Sequence, residues 1–271
     1  TSAGMVQFKP LWSSFPPLPY TRAASVQKCL RLSDLENVGR RVRYNTFFEM
    51  LGNFSFGDYF KEEAIQWAWE FLVQVLKLPQ DKLSVSVLEE DSESYRIWRE
   101  EIGLEPARIA KLGEKENFWG PAGGTGACGP CSEIFWDLGE EMGCGQPDCG
   151  PGCDCDRYFE VWNLVFPQFD ADEEGNRRPL RNKGIDTGMG LERLACASQG
   201  VKTVFQTDLF EPVISELSRV VNLPYRDNQV PFNIIADHLR ALTFAISEGI
   251  YPSNEERGYV VRRILRRALR Q

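Results

Sequence analysis

Apolar spacing along the chain sets the elements. From Lys61 onward, Ala64, Ile65, Ala68, Phe71, Leu72, Val75 and Leu76 recur at three- and four-residue intervals. This predicts a helix with one buried face, stopped by Pro79. Leu83, Val85 and Val87 alternate with Ser84 and Ser86, predicting a half-buried strand. Residues 156–166 (DRYFEVWNLVF) predict a strand buried on both faces. Pro167 lacks a ladder donor and so marks a bulge, an edge or the strand end. Residues 41–50 (RVRYNTFFEM) are rich in aromatic and β-compatible side chains and predict a strand, with a loop and turn in LGNFSFGDYF. Residues 186–200 (DTGMGLERLACASQG) read as a strand end, a glycine turn and a helix closed by Gly200. Residues 230–250 read as helical, and YPSNEERG opens another helix. Two stretches resist periodic reading. Residues 10–22 hold Pro10, Pro16, Pro17 and Pro19, which predicts a surface loop. Residues 119–131 (WGPAGGTGACGPC) predict a long shaped loop, a kind of segment that often carries function.

These strands alternate with helices but lack both G-x-G-x-x-G and G-x-x-x-x-G-K-[ST]. Any nucleotide is therefore held without a Rossmann or P-loop cradle, and an α+β fold with a mostly antiparallel sheet is the natural expectation. The 271 residues allow one large domain or two modest ones. No run of ~18 apolar residues is present and no signal-peptide pattern opens the chain. A cytoplasmic protein with no membrane span is expected. Thr1 and Gln271 both fall within apparent structure, so the chain reads as a core cut at both ends.

The net charge of −8 repels nucleic acid overall, so any contact needs a local basic patch. One exists near the end, where Arg257, Arg262, Arg263, Arg266, Arg267 and Arg270 gather. On a helical wheel Val261, Ile264, Leu265 and Ala268 share one side, and the arginines from 262 onward take the other. Such a face suits a phosphate backbone, and it equally suits solvent and acidic neighbours. Among eight cysteines, Cys144, Cys149, Cys153 and Cys155 cluster as C-x4-C-x3-C-x-C among Gly and Pro. A structural Zn²⁺ site, free thiols and disulfides are all compatible with that spacing. Cys128 and Cys131 read as loop residues, and Cys29 and Cys196 as packing residues. His238 is the only histidine, which disfavours a His-centred metal site or triad and leaves a structural or RNA-adjacent role.

Several segments, in order, carry a resemblance. TFFEMLGNFSFGDYF (46–60) is similar to the second signature motif of the alanyl-tRNA synthetases, and DTGMGLERL (186–194) resembles their third. SAGMVQFK (2–9), ENFWGPAGGTGACGPCSEIF (116–135), EVWNLVF (160–166) and DHLRALTFAISEGIYPSNE (237–255) also resemble that family. The resemblance covers essentially the whole chain. It implies the class II synthetase fold, an antiparallel sheet flanked by helices, over residues 1–228. A helical tRNA-recognition region would begin at 229–271. The first signature motif and a separate editing domain would lie outside this chain.

The implied activity is attack by the L-alanine carboxylate on the α-phosphate of ATP, followed by transfer to the 3′ end of tRNA(Ala). A carboxylate is already nucleophilic at neutral pH, so catalysis is positioning plus neutralisation of phosphate charge by arginines and Mg²⁺. By the resemblance, Arg43 holds the α-phosphate, Arg193 meets the outer phosphates and Glu49 lies near the nucleotide. Read without it, Arg43 is a surface arginine on an edge strand and Glu49 a salt-bridge partner. Glu49 would share a face with Arg43 only if one strand runs unbroken through both. Asp186 resembles the residue that pairs with the alanine ammonium; capping of the turn before Gly188 is the plainer reading. Asn163 would point into the alanine pocket and Trp162 would shape its surroundings, though Trp162 also reads as core. The resemblance also favours contact of the arginine helix (Arg257, Arg262, Arg263, Arg266, Arg267) with the tRNA acceptor stem. Two positions depart from the family pattern: Tyr44-Asn45 replaces a histidine pair, and Glu256 stands where a glycine is usual. Two other classes remain compatible: an RNA-binding module without chemistry, and a ligase that loads a small amino acid onto another carrier.

Overall fold

The computed structural model describes residues 1–13, 17–121 and 123–271. Pro16 of the predicted 10–22 loop and Ala122 of the glycine-rich segment lie outside the described residues. The strands are β1 (Arg22–Leu30), β2 (Phe47–Phe56), β3 (Leu83–Leu88), β4 (Ile109–Leu112), β5 (Phe118–Trp119), β6 (Gly126–Asp137), β7 (Tyr158–Val165), β8 (Phe169–Ala171), β9 (Arg177–Pro179) and β10 (Gly184–Gly190). The helices are α1 (Lys9–Ser13), α2 (Lys61–Glu70), α3 (Ser92–Arg96), α4 (Glu114–Asn117), α5 (Leu191–Gln199), α6 (Glu211–Val221), α7 (Gln229–Ser247) and α8 (Glu256–Ala268). The sheet runs β1-β2-β10-β7-β6-β3-β4, with β5 and β8 on β6 and β9 on β8. Every pairing is antiparallel except β3 with β4, as the α+β expectation requires.

One face of the sheet packs on α2, on the π-helical turn Phe71–Val75 that extends it, and on α5 and α6. Ile65, Leu72, Leu83, Val85, Trp98, Ile134, Leu164 and Ile185 form the centre of that core. At the other face, Met5, Phe8 and Trp12 pack against Phe54 and Phe56 of β2. Phe47 meets Leu242 and Ile264 where α7 and α8 join the sheet. Gly184 is required for this assembly: a Cβ there would lie 1.9 Å from the Ser55 carbonyl oxygen and 2.8 Å from the Trp12 indole nitrogen. Gly200 closes α5 in the left-handed region at φ 65°, as its place in the sequence predicts.

Several boundaries differ from the sequence reading. The predicted strand at 41–50 begins only at Phe47 and then runs through Leu51–Phe56, where a loop is predicted. The reason is at both ends: Asp237 accepts the Thr46 N–H at 2.8 Å before the ladder starts, while β1 pairs with Gly52 and Asn53 and β10 with Leu51 and with Phe54, Ser55 and Phe56. The 10–22 loop contains α1, because Trp12 is fully buried and donates its indole N–H to Ser55 O at 3.1 Å. Pro10 is tolerated there in the first helical turn, where its missing N–H costs nothing. The half-buried strand at 83–87 is buried throughout, since β6 and β4 flank it and both faces are covered. Much of the glycine-rich 119–131 segment is the first half of β6, and Cys128 and Cys131 are strand residues.

Candidate active site

Strand alternation builds a concave site on the face that carries Phe54. Met50 of β2, Asp186 and Gly188 of β10, and Asn163 and Val165 of β7 open into one cavity of about 240 Å³. Glu160 joins them through a register shift between Ile134 and Phe135, which lets Trp162 pair with Ile134 and Glu160 with Phe135. The bulge leaves Val161 and Trp162 in the core and turns Glu160 toward the cavity. Met5, Trp119 and Val165 supply apolar wall.

Asp186 is 5% exposed. Burial alone pushes its carboxyl from 3.8 up to about 7. No described side chain pairs with it, so the turn-capping reading gives way to a buried acid that faces a cavity. Asn163 donates its amide to Glu133 Oε1 at 3.1 Å, while its own buried Oδ1 has no partner. Glu133 is held well above the ordinary carboxylate range by burial and by Glu160 beside it.

A second cleft adjoins this cavity, and Arg31, Met50, Glu160 and Gly188 line both. Arg31, Arg43 and Arg193 are its cations. Arg193 donates to Glu160 Oε2 at 2.9 Å and to Glu160 O at 2.8 Å, and its Nε reaches Arg43 O at 3.3 Å. Arg43 donates through Nη1 to Cys155 O at 3.0 Å and Tyr158 O at 3.1 Å. Arg43 precedes β2 rather than lying on it, so the six-residue count to Glu49 sets no common face. Glu49 instead turns to the other side of β2. Its carboxylate lies 3.8 Å from Arg240 and its N–H donates to Glu192, the buried partner of Arg240 at 2.8 Å. The structure thus brings Arg43, Arg193, Asn163 and Asp186 together and leaves out Glu49 and Trp162. Trp162 packs edge-on to Phe71, with ring centroids 5.9 Å apart, in the core behind the site.

The arginines of α8 divide. Arg262, Arg263, Arg266, Arg267 and Arg270 line one groove with Leu35 and Glu36. Arg257 lies apart, beside an apolar cavity with Val260 and Val261. Arg267 also donates to His238 Nε2 at 2.9 Å. That nitrogen therefore accepts, so Nδ1 carries the proton and donates to Asp237 Oδ2 at 2.8 Å. His238 is fully buried, a structural link between α7 and α8. Glu256 has φ 45°, in the left-handed region where a glycine is least strained.

The four clustered thiols converge between β6 and β7. Cys144 and Cys153 Sγ are 3.7 Å apart, Cys149 and Cys155 Sγ 3.6 Å, and all four lie within 4.8 Å of one another. Disulfides need sulfurs ~2.05 Å apart. A tetrahedral ion with ~2.3 Å bonds to sulfur needs edges of ~3.8 Å. The donor set and its spacing fit a thiophilic divalent metal. Cys128 and Cys131 are buried, and burial raises both thiols, which makes them poor redox groups.

Sequence reasoning missed Met5, Trp119, Glu133 and Glu160 as site residues. A charged residue inside an otherwise apolar strand, as at Glu133 and Glu160, was the available signal. Met5 and Trp119 come from distant segments, SAGMVQFK and ENFWGPAGGTGACGPCSEIF, whose resemblance was the only signal they carried.

The family described as tRNA synthetases class II (A) matches residues 1–271. The chain is 55% identical over 273 residues to the alanine–tRNA ligase of Pelotomaculum thermopropionicum, covering 100% of this chain and 31% of that protein. To the alanine–tRNA ligase of Thermotoga maritima it is 57% identical over 275 residues, covering 100% and 32%. The chain therefore spans about a third of the length of the curated relatives it matches. Among solved structures, apo histidyl-tRNA synthetase of S. aureus aligns with TM-score 0.40 at 11% identity, over 79% of this chain and 57% of that one.

Proposed function

The chain belongs to the class II (A) tRNA synthetase family, and from that premise we propose that it activates L-alanine with ATP and passes the alanyl group to the 3′ end of tRNA(Ala). The observation that carries this reading is Asp186: a buried, unpaired carboxylate facing a small, partly apolar cavity that adjoins an arginine-lined cleft. An α-ammonium is the partner such a group lacks. With the ammonium on Asp186, Met5, Trp119 and Val165 bound the space around a methyl group, and Asn163 supplies an open acceptor.

In this scheme the substrate carboxylate faces the neighbouring cleft. ATP lies along Gly188 and Gly190, whose lack of side chains lets the nucleotide approach the strand. Arg43 takes the α-phosphate and Arg193 the outer phosphates. Mg²⁺ arrives with the nucleotide, held chiefly by its phosphates. The carboxylate oxygen bonds to the α-phosphorus as the bond to pyrophosphate breaks, and the arginines hold the charge that moves outward. No general base is required. Glu49 and Trp162 act from behind the site, by fixing β2 through Arg240 and by backing the alanine cavity.

Residues 1–228 would form the catalytic domain and 229–271 the start of the tRNA-recognition region. There, Arg262, Arg263 and Arg266 would contact the acceptor-stem backbone, with Arg267 and Arg257 at its margins. Zn²⁺ is the proposed occupant of the cysteine cluster, where it would close the loop between β6 and β7. None of the described helices is long and apolar enough to cross a membrane, and the cytoplasm is the proposed location.

The test is alanine-dependent exchange of pyrophosphate into ATP, run with alanine, serine and glycine. Exchange that favours alanine is expected. Glycine differs by one methyl, a discrimination of only ~1–3 kcal/mol, so measurable exchange with glycine and serine is expected too. No exchange from folded chain would refute the reading.

A further inference from the structure

We propose that the cysteine cluster is a positioning device for Arg43: a Zn²⁺ held by Cys144, Cys149, Cys153 and Cys155 fixes the backbone carbonyl that aims this arginine into the nucleotide cleft. The inference rests on the zinc and nucleotide assignments proposed above.

The connection is covalent and short. Cys155, a candidate ligand through its sulfur, offers its carbonyl oxygen to Arg43 Nη1 at 3.0 Å. One residue earlier, Asp154 O accepts from Arg41 Nη2 at 2.6 Å, and one residue later Asp156 accepts from Arg41 Nε at 2.8 Å. Two arginines on the segment before β2 are thus seated on three consecutive residues of the loop. Arg43 has one further acceptor there, Tyr158 O at 3.1 Å, at the start of β7. If the loop moves, Arg43 keeps one of its two backbone anchors and loses its orientation.

Beyond the two arginines the loop is held at its ends, by the Arg157–Asp137 pair at 2.9 Å, Leu138 N to Arg157 O at 2.8 Å and the Lys202–Glu141 pair at 2.7 Å. Among the described residues, its backbone donors pair within local turns: Gly143 N with Glu140 O, Cys149 N with Gln146 O and Cys153 N with Gly150 O. The side chain of Asp154 is 92% exposed. Gly143, Gly145, Gly150 and Gly152 lower the intrinsic stiffness of the backbone around the cysteines. Four ligands within twelve residues would restrict this segment strongly, and metal binding to thiolates couples directly to local order. The sulfurs already approach the tetrahedral edge of ~3.8 Å that bonds of ~2.3 Å demand. Arg43 itself touches the proposed substrate, whereas the cysteines reach the substrate only through it.

The experiment uses the chain as purified, the zinc-stripped chain, and the Cys144→Ser/Cys153→Ser variant. Zinc content is read by elemental mass spectrometry, ATP affinity by calorimetry, and order by hydrogen exchange of the segments 41–46 and 230–245. One zinc per purified chain is expected. Stripping it should weaken ATP binding about tenfold, equivalent to ~1.4 kcal/mol, and speed exchange at 41–46 while leaving 230–245 unchanged. In an Arg43→Ala background, stripping should no longer alter ATP affinity. A purified chain that neither carries nor takes up zinc overturns the proposal. So does zinc whose removal changes neither ATP affinity nor exchange at 41–46. Loss of order in 230–245 as well would assign the metal a global stabilising role instead, and continued zinc sensitivity in Arg43→Ala would route the effect around Arg43. A chain that binds no ATP in any state refutes the nucleotide reading separately, and exchange at 41–46 still decides whether zinc orders the Arg43 segment.

Discussion

Replacing Asp186 tests the amino-acid site through its protonation. In the free protein, burial lifts this carboxyl from 3.8 to about 7. The folded chain therefore holds the proton more tightly than the unfolded chain. Stability from this group is highest below pH 3.8, declines as pH rises from there to about 7, and is level above. The full displacement corresponds to ~4 kcal/mol. A bound ammonium offsets that cost, because the ionised carboxylate gains a partner. Alanine binding should then expel a proton below neutrality, about 0.9 per site at pH 6. Between pH 8 and pH 6 the ionised fraction falls about tenfold, and the Kd for alanine should rise about tenfold with it. Asp186→Asn should abolish both the pH dependence and most of the affinity. Removing one member of a buried charge pair costs ~3–5 kcal/mol, a loss above 100-fold. The same variant should be more stable than the parent at pH 8 and not at pH 4. Calorimetry in two buffers of different ionisation enthalpy measures affinity and proton release together, and urea unfolding measures stability. An alanine Kd that is flat from pH 6 to 8 without proton release would rule out Asp186 as the ammonium partner, as would a variant that binds alanine normally.

Other consequences follow from single contacts. Arg193→Ala removes the cation that Glu160 orients in the cleft and should lower kcat/KM for ATP in pyrophosphate exchange by ~100-fold or more, with alanine affinity unchanged. Arg240→Ala leaves Glu192 buried at 1% exposure without its 2.8 Å partner, and should cost ~3–5 kcal/mol in urea unfolding. Glu256→Gly relieves the left-handed backbone at φ 45° and should add ~1 kcal/mol to stability by the same assay. The triple change Arg262→Gln/Arg263→Gln/Arg266→Gln should weaken acceptor-stem RNA binding and flatten its salt dependence by up to ~0.9 in log–log slope per lost phosphate contact, with adenylate formation unaffected.

What the sequence made legible follows from where information is local. The α2 helix, the end of β7 at Pro167 and the Gly200 cap depend on spacing and punctuation within a few residues, and all appear as expected. The α+β architecture also stands, inferred from the order of elements and the lack of a βαβ fingerprint. Strand β1 was invisible because its burial alternates weakly at a sheet edge beside a proline-rich segment. The start of β6 was hidden because GACGP has a turn composition, and it extends only because β5, β7 and β8 pair with it. The Glu160 bulge is a property of two strands together, and no single-strand pattern encodes it. The site residues split in the same way. Arg193, Asn163 and Asp186 lay in motif segments and Arg43 just ahead of one, whereas Met5 and Trp119, though in resembling segments, reach the cavity only by long-range packing. Glu49 meets Arg240, as its salt-bridge reading has it, and the condition for a face shared with Arg43 is not met because β2 starts only at Phe47.

The proposed function turns on one step, attack of an alanine carboxylate oxygen on the α-phosphorus of ATP in this site. The most direct measurement gives the chain alanine labelled with ¹⁸O in its carboxylate, together with ATP, and analyses the nucleotide product by mass spectrometry. AMP that carries one ¹⁸O is expected, formed only when alanine is present and lost in Asp186→Asn. Unlabelled AMP, or ADP with inorganic phosphate in its place, would contradict it.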